Sequence, residues 1–219
     1  MSQSPAPSPR ESLPPTVTAS TRRTRMTAEQ RRAVILDAAT EIFTEHGYQR
    51  GKVSDIARRV GVSEPVVFQN FGTKAALFAA VLERAAATIA GQLREAVEAG
   101  QPVPELLADW FSPGHIDRLH SRGSLGVLFA DATTHSAGPE IDHAARRSVR
   151  HVATAIADLL RRGQEAGDIR LDLDAEAGAW WLMTLLHAHG FRGAVMPRRT
   201  AIEPALTDLA LEALTRPAR

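Results

Sequence analysis

Cysteine is absent from this 219-residue chain, and its absence excludes several kinds of chemistry at once. Without thiols there is no disulfide framework, no cysteine nucleophile and no zinc site built from thiolates. A chain without cysteine fits the reducing interior of a cell. We therefore expect a cytoplasmic protein.

Long hydrophobic runs and targeting signals are missing from the sequence as well. The most apolar window, residues 179–186, is far shorter than the ~18–20 residues that span a bilayer. Residues 1–21 are rich in Pro and Ser and lack the apolar segment of a secretory signal. We expect no membrane contact and a disordered tail over residues 1–26. Its basic arm either enters a DNA minor groove or stays solvated with weak phosphate contacts, at Arg22, Arg23 and Arg25.

Strand patterns and enzyme motifs are scarce too. No segment alternates apolar and polar residues over a strand length, and only one tyrosine is present. There is no Gly-rich phosphate loop, no His-Glu-x-x-His sequence and no Gly-x-Ser-x-Gly sequence. The pairs His187 and His189, and His115 and His120, have spacings that place them on different helix faces. The sequence predicts an all-α protein that is not an enzyme and binds no metal or cofactor.

Helical periodicity is what the chain has instead. Thr27 and Gln30 form a capping box before a helix that we expect to end at Gly47. Breaks at Gly61 and at residues 72–73 separate short helices over residues 53–60 and 63–71 from a long one over 74–99. Further helices are expected over residues 106–111, 115–120, 124–134, 139–163, 174–190 and from Pro204 onward.

The motif with the clearest functional meaning lies in residues 53–71. Two short helices joined by a tight turn need a small residue at their crossing and a glycine with positive φ in the turn. Ala57 supplies the first, Gly61 the second, and Val67 is the apolar residue that fixes the second helix to the core. This spacing is typical of a helix-turn-helix, although Ala and Gly are common in this chain.

Residues 27–82 resemble the DNA-binding head of the tetracycline-repressor (TetR) family. The matching pieces occur in the family's order, at residues 35–39, Phe43, 47–48, 53–57, 61–63, 68–71, Lys74 and 77–78. The resemblance implies a three-helix helix-turn-helix DNA-binding head over residues 27–73. It also implies a helical ligand-binding and dimerisation body over residues 74–219. In this family the second short helix lies in the major groove.

The resemblance implies a set of DNA-binding residues on both short helices and at the start of the long one. They are Lys52, Ser54, Ser63, Glu64, Pro65, Val66, Phe68, Gln69, Asn70 and Lys74. Phe68 stands where the family usually has Tyr, and Glu64 stands where a cation is common. These departures leave the operator sequence unpredictable. The head is net positive although the whole chain carries only +1, which favours local phosphate binding but is also compatible with ordinary charged helix faces.

The body is expected to form a homodimer through the helices over residues 139–163 and 174–190. The first repeats apolar residues at three- and four-residue steps, from Ile141 to Leu159. The second has two apolar stripes, with Trp181 on one stripe and Trp180 on the other, so one face can pack on its own body while the other meets the partner. The alternative is that both helices fill the core of a monomer.

The resemblance also implies a ligand pocket inside the body, above the helix that starts at Lys74. Candidate lining residues for a small, mostly apolar effector are Trp110, Phe111, Phe129, Trp180, Met183 and His187, although each could simply fill the core. The predicted function is a repressor that a ligand releases from a pseudo-palindromic operator. A ligand-independent or architectural regulator, and an activator, remain the alternatives.

Overall fold

The computed structural model describes residues 26–134 and 138–215. This part of the chain contains eleven α-helices and no strand, which confirms the prediction of an all-α fold. The expected tail and its basic arm lie outside the described residues, apart from Met26. The helices are α1 Ala28–Arg50, α2 Val53–Val60, α3 Glu64–Phe71, α4 Lys74–Glu98, α5 Val103–Phe111, α6 Pro113–Leu119, α7 Leu125–Thr134, α8 Pro139–Ala166, α9 Ala175–His187, α10 His189–Val195 and α11 Arg199–Thr215.

The first helix begins at the predicted capping box. The Thr27 side chain accepts from the Gln30 amide at 3.1 Å, and the Gln30 side chain accepts from the Thr27 amide at 2.9 Å. Helical geometry fails at Gly47, where φ is 72°, although one further turn continues α1 to Arg50. Gly47 therefore interrupts the helix where predicted, but does not end it.

The core of the head forms where α1, α2 and α3 meet the start of α4. Ile35, Phe43, Ile56 and Phe78 are fully buried there, and the rings of Phe43 and Phe78 meet edge to face with centroids 5.1 Å apart. Burying side chains of this size contributes about 1.5–3 kcal/mol each. The first turn of α4 is thus part of the head's core, while the rest of α4 runs into the body.

The body is built around α4 and α8, which share the most extensive helix contact in the described chain. Most of the apolar stripe of α8 from Ile141 to Leu159 is buried in this single chain, although Val149 is only partly buried. The main neighbour of α8 is α4. Much of the stripe therefore packs within the subunit, and the expected dimer contact through this helix stays a prediction.

Two helix boundaries differ from those expected. The helix over 174–190 is two helices, α9 and α10, and the last helix begins at Arg199, with Pro204 inside it. Within this single chain Leu182 and Met183 of α9 are buried, whereas Trp180 and Trp181 are 41% and 40% exposed. Burial of the second face of α9 was expected from a partner subunit and stays a prediction.

One described helix, α4, is long and apolar enough to cross a membrane by length and composition, which the sequence reading did not expect. Half of its most apolar window is buried inside the protein. The helix packs against α1 and α8, so its hydrophobicity has an explanation in the core.

Candidate nucleic-acid interface and ligand cavity

The turn between α2 and α3 has the geometry that its sequence predicts. Gly61 adopts φ 76° and ψ 35°, the left-handed region that favours glycine. The backbone amides of Gly61 and Val62 both donate to the Ala57 carbonyl oxygen at 3.0 Å. Ala57 itself is only 3% exposed, so a small side chain is needed where the helices meet. The turn therefore sets a fixed crossing of α2 and α3.

The third helix has a buried face and an exposed face. Val67 and Phe71 pack into the head's core, as predicted. The residues on the opposite face are exposed, and they include Glu64, Pro65, Phe68 and Gln69. Helix α3 therefore presents a surface of polar and aromatic side chains away from the protein.

Arg32 of α1 holds α3 in place, a role that the sequence reading missed. Its guanidinium donates to the Asn70 carbonyl oxygen and lies 4.0 Å from the centroid of the Phe71 ring. These contacts join residues 38 positions apart, so no local pattern pointed to them. They restrain the C-terminal end of α3.

The predicted DNA-binding residues are all at least partly exposed, but some already make hydrogen bonds within the protein. Lys52 is exposed at the N-cap of α2 and makes no cap bond, as expected for a side chain without an acceptor. Ser63 occupies the N-cap of α3, but its hydroxyl makes no cap bond. Ser54 and Val66 are half-buried. The Asn70 amide nitrogen donates to the Val66 carbonyl at 2.7 Å, which leaves its side-chain oxygen for other partners.

Lys74 is half-buried and contacts Tyr48 and Gln49, in the segment that follows Gly47. Its Nζ donates to the Gln49 carbonyl at 3.3 Å and lies 4.7 Å from the centroid of the Tyr48 ring. Burial lowers the pKa of Lys74, and the nearby Asp131 carboxylate opposes that effect. A lysine ammonium has three donors, so some remain for an outside acceptor.

Ion pairs neutralise part of the head's positive charge. Arg58 pairs with Asp55 at 2.5 Å, and Arg59 pairs with Glu41 at 2.6 Å. Within the described part of the chain, Lys52 pairs with no carboxylate. Exposed pairs of this kind contribute little to stability and can be exchanged for other partners.

The body contains a partly open cavity of about 420 Å³, lined by α4, α5, α6, α7, α8, α9 and Gly190 of α10. Four predicted lining residues border it, namely Trp110, Phe129, Met183 and His187. Among the described residues that line it, none is Asp, Glu, Lys or Arg. The wall is therefore mostly apolar, with Gln92 and three imidazoles as its polar side chains.

Phe111 and Trp180 were also predicted for this cavity and do not line it. Phe111 is buried between α5 and α11, where its carbonyl accepts from the Thr207 hydroxyl at 2.8 Å. Trp180 borders a groove on the outside of α8 instead. His115 and His120 also line the cavity, although they were not predicted to do so. Their sequence spacing bears on metal binding and does not indicate a shared cavity.

Helix α7 joins the cavity to the head. Gly126 and Phe129 of α7 line the cavity. Two residues beyond Phe129, the Asp131 carboxylate accepts from the Tyr48 backbone amide at 2.6 Å. Tyr48 directly follows the interruption of α1 at Gly47, so one helix touches both the cavity and a break in the head.

Two short helices at a positive-φ glycine, with the second helix facing outward, define a helix-turn-helix motif. Residues 35–81 match the family model for bacterial regulatory proteins of the tetR family. This match lies within residues 27–82, the segment whose sequence resembles that family. The matching relatives include proteins named as transcription regulators, in agreement with the prediction of a regulator rather than an enzyme.

Two relatives illustrate how far the sequence similarity reaches. The HTH-type transcriptional activator FasR of Mycolicibacterium smegmatis is 38% identical over 73 residues, 33% of each chain. The A-factor receptor protein of Streptomyces griseus is 28% identical over 162 residues, 69% of this chain and 52% of that protein. The matches thus span about a third and about half of these relatives' lengths.

Solved structures share the fold beyond the head. A TetR-family regulator from Agrobacterium tumefaciens, 19% identical, covers 87% of this chain and 100% of its own with a TM-score of 0.67. FadR from Bacillus subtilis, solved with stearoyl-CoA, is 18% identical and covers 83% of this chain and 98% of its own with a TM-score of 0.61. At these identities the similarity establishes the fold alone.

Proposed function

We propose that this chain is a transcription regulator that binds a pseudo-palindromic operator as a homodimer and is released by a small ligand. In this proposal residues 27–73 form the DNA-binding domain, and residues 74–219 form the ligand-binding and dimerisation domain. The observation that carries the proposal is α3, whose inner face is buried while its outer face exposes Glu64, Pro65, Phe68 and Gln69.

The outer face of α3 is proposed to enter the major groove of double-stranded DNA. Gln69 and the side-chain oxygen of Asn70 are in position to read base edges, and Glu64 would accept from a cytosine amino group. Pro65, Val66 and Phe68 would contact bases or sugars through their apolar surfaces. Phosphates would be bound by the cationic and hydroxyl groups at the helix starts, namely Lys52, Ser54, Ser63 and Lys74.

A homodimer is proposed because one head reads only a few base pairs. Two heads about one helical turn apart, ~34 Å, read two half-sites. The outer faces of α8 and α9 are the proposed interface, supported by the exposure of Trp180 and Trp181 side by side. A groove of about 400 Å³ next to Trp180 is lined by Ala145, Val149 and Arg146 and suits an apolar side chain of a second copy.

The cavity in the body favours a ligand-responsive regulator over a ligand-independent one. Its volume of about 420 Å³ and its apolar wall suit a small organic molecule. The related structure solved with stearoyl-CoA supports effector binding in this fold. A solid core would have supported an architectural protein instead.

Ligand release would work through the two helices that border both the cavity and the head. Helix α4 contributes Ile89 and Gln92 to the cavity and begins in the head at Lys74. Helix α7 contributes Phe129 and holds Tyr48 through Asp131. A shift of either helix would change the distance between the two heads of a dimer. Coupling of about 1–3 kcal/mol corresponds to a 5–150-fold loss of operator affinity.

Repression by blocking polymerase is the proposed mode of action, in the cytoplasm. Relatives named as an activator and as a repressor both exist, and the position of the operator decides between the two modes.

Selection of bound duplexes from a random pool, repeated across salt concentrations, tests the proposal. We expect a two-fold-symmetric consensus, because an isologous dimer binds two equivalent half-sites. Lys52→Ala should weaken binding to all sequences alike and reduce the salt slope by about one. Arg94→Ala in the body is the matched control and should leave the slope unchanged. A consensus without symmetry, or an unaffected slope for Lys52→Ala, would contradict the docking.

A further inference from the structure

We propose that the cavity takes an uncharged, flat ligand with a hydroxyl or N–H group that donates to the imidazoles of His120 and His187. This inference rests on the proposed ligand-sensing function and adds the chemical class of the ligand. It depends on three features of the cavity wall, which are its charge, its hydrogen-bonding groups and its aromatic rings.

The charge of the wall argues against an ionic ligand. None of the described lining residues is Asp, Glu, Lys or Arg, so a charged ligand would lose its hydration without gaining a counter-ion. Behind the wall, Arg199 donates to His189 at 3.3 Å. Arg199 is already paired with Asp117 and, at 3.1 Å, with Glu203.

The hydrogen bonds of two imidazoles fix which groups they can offer. Nδ1 of His120 lies 2.9 Å from the Ile116 carbonyl oxygen, and Nδ1 of His187 lies 2.9 Å from the Met183 carbonyl oxygen. A carbonyl oxygen only accepts, so each Nδ1 carries a hydrogen and donates it. In the uncharged ring the remaining nitrogen, Nε2, then has a lone pair and accepts.

Neither Nε2 has a hydrogen-bond partner among the described residues, although both rings line the cavity. The two rings, half-buried His120 and exposed His187, therefore carry acceptor nitrogens that a donor group on the ligand would satisfy. An ether or ester oxygen at the same place would face a lone pair and gain nothing. This asymmetry selects a hydroxyl or N–H group over a group that only accepts.

Stacked rings at the wall favour a flat ligand. Trp110 and His115, which both line the cavity, stack with centroids 5.6 Å apart at 16°. The lining ring of His120 stacks on His189 at 4.3 Å and 23°. Burial, and then Arg118, lowers the pKa of His115, so this ring is uncharged at neutral pH. Phe129 adds a third aromatic surface. A planar ligand can lie against these faces with favourable offset-stacked contacts.

Titration calorimetry with three probes of one shape tests the inference on the full chain at pH 7.5. The probes are 4-butylphenol, its methyl ether 4-butylanisole, and 4-butylbenzoate. One hydrogen bond contributes about fivefold in Kd, so the phenol should bind about five times more tightly than the ether. The benzoate should bind at least about tenfold more weakly than the phenol, because its charge is desolvated without a partner.

Histidine variants locate the preference. His120→Phe and His187→Phe, singly and together, keep the ring area but remove the acceptors, so phenol and ether should converge. His151→Phe is the matched control, since His151 borders a groove between α4 and α8 and not the cavity. Unchanged thermal melting of each variant shows that the fold is intact.

Equal affinities of phenol and ether for the unmodified chain would overturn the inference, as would tightest binding of the benzoate or no binding of any probe. DNA binding without a probe is measured separately. A chain that binds the phenol selectively but binds no duplex refutes the proposed regulator and supports the ligand class. A chain that binds duplex but shows no phenol preference refutes the ligand class and supports the proposed regulator.

Discussion

Replacing Gly61 by alanine perturbs the turn on which the position of α3 depends. Gly61 has φ 76°, and no atom lies within 4 Å of where a Cβ would be, so the change causes no clash. The left-handed conformation costs an alanine about 1–2 kcal/mol. The lower entropy of the unfolded alanine chain offsets about 0.4–1 kcal/mol of this. We expect a net loss of about 1 kcal/mol in the free energy of unfolding.

Thermal melting and urea unfolding measure this loss. For a chain of this length, about 1 kcal/mol corresponds to a fall in Tm of about 2–4 °C. Gly61→Asn should lose less, because asparagine tolerates the left-handed region. Gly91→Ala lies inside α4 with open space around it and should raise stability by about 0.5–1 kcal/mol.

Two results would refute this reasoning. One is a Gly61→Ala chain as stable as the unmodified chain while Gly91→Ala gains stability as expected. The other is a Gly61→Asn chain that loses more than Gly61→Ala. Either would mean that the turn does not depend on a left-handed residue at this position.

Three further substitutions test the interface, the coupling and the dimer. Asp131→Ala removes a charge-assisted hydrogen bond to the Tyr48 amide, worth about 1.5–3 kcal/mol. The factor by which 4-butylphenol lowers operator affinity should then be at least about fivefold smaller than in the unmodified chain. Gln69→Ala should cost about 1–3 kcal/mol on the preferred operator and change the selected bases, whereas Lys52→Ala weakens all sequences alike. Trp180→Glu should shift the chain toward monomer in sedimentation, because it puts a charge into the proposed interface.

Two of these predictions have a control substitution of the same chemistry elsewhere in the chain. Asp158→Ala removes an exposed carboxylate paired with Arg161 and should leave the response to the phenol intact. Leu171→Glu adds a charge at an apolar side chain that is already 80% exposed and should leave the oligomeric state unchanged. An Asp131→Ala chain with a full response, a Gln69→Ala chain with unaltered base preference, or a dimeric Trp180→Glu chain would contradict the corresponding step.

The helix-turn-helix could be predicted from sequence because its determinants are local. Ala57, Gly61 and Val67 lie within eleven positions, and each is required by the geometry of two adjoining short helices. The capping box at Thr27 is equally local, since its two hydrogen bonds join residues three apart. Short-range rules of this kind need no knowledge of the tertiary fold.

The partners of the helix faces could not be predicted, because periodicity shows that a face is buried but not what covers it. The stripe from Ile141 to Leu159 is mostly buried, as its period predicts, and much of that burial comes from α4 of the same chain, which the period could not show. The same limit applies to α9, where the apolar Trp180 and Trp181 face outward and smaller residues fill the core.

Contacts between distant positions were also beyond the sequence. Asp131 and Tyr48 are 83 residues apart, and Arg32 and Asn70 are 38 apart, so no local pattern pairs them. Four of six predicted lining residues border the cavity, but Phe111 borders a separate small space beside α11. Its neighbour Trp110 lines the cavity, because successive residues of a helix point about 100° apart.

The most direct test of the central claim is fluorescence anisotropy of a selected, labelled duplex titrated with the full chain across salt concentrations. We predict two chains per duplex. If each head makes about three phosphate contacts, the slope of log K against log salt is about −5. Absence of binding to double-stranded DNA at low ionic strength, or saturation at one chain per duplex with a slope near zero, would contradict the account.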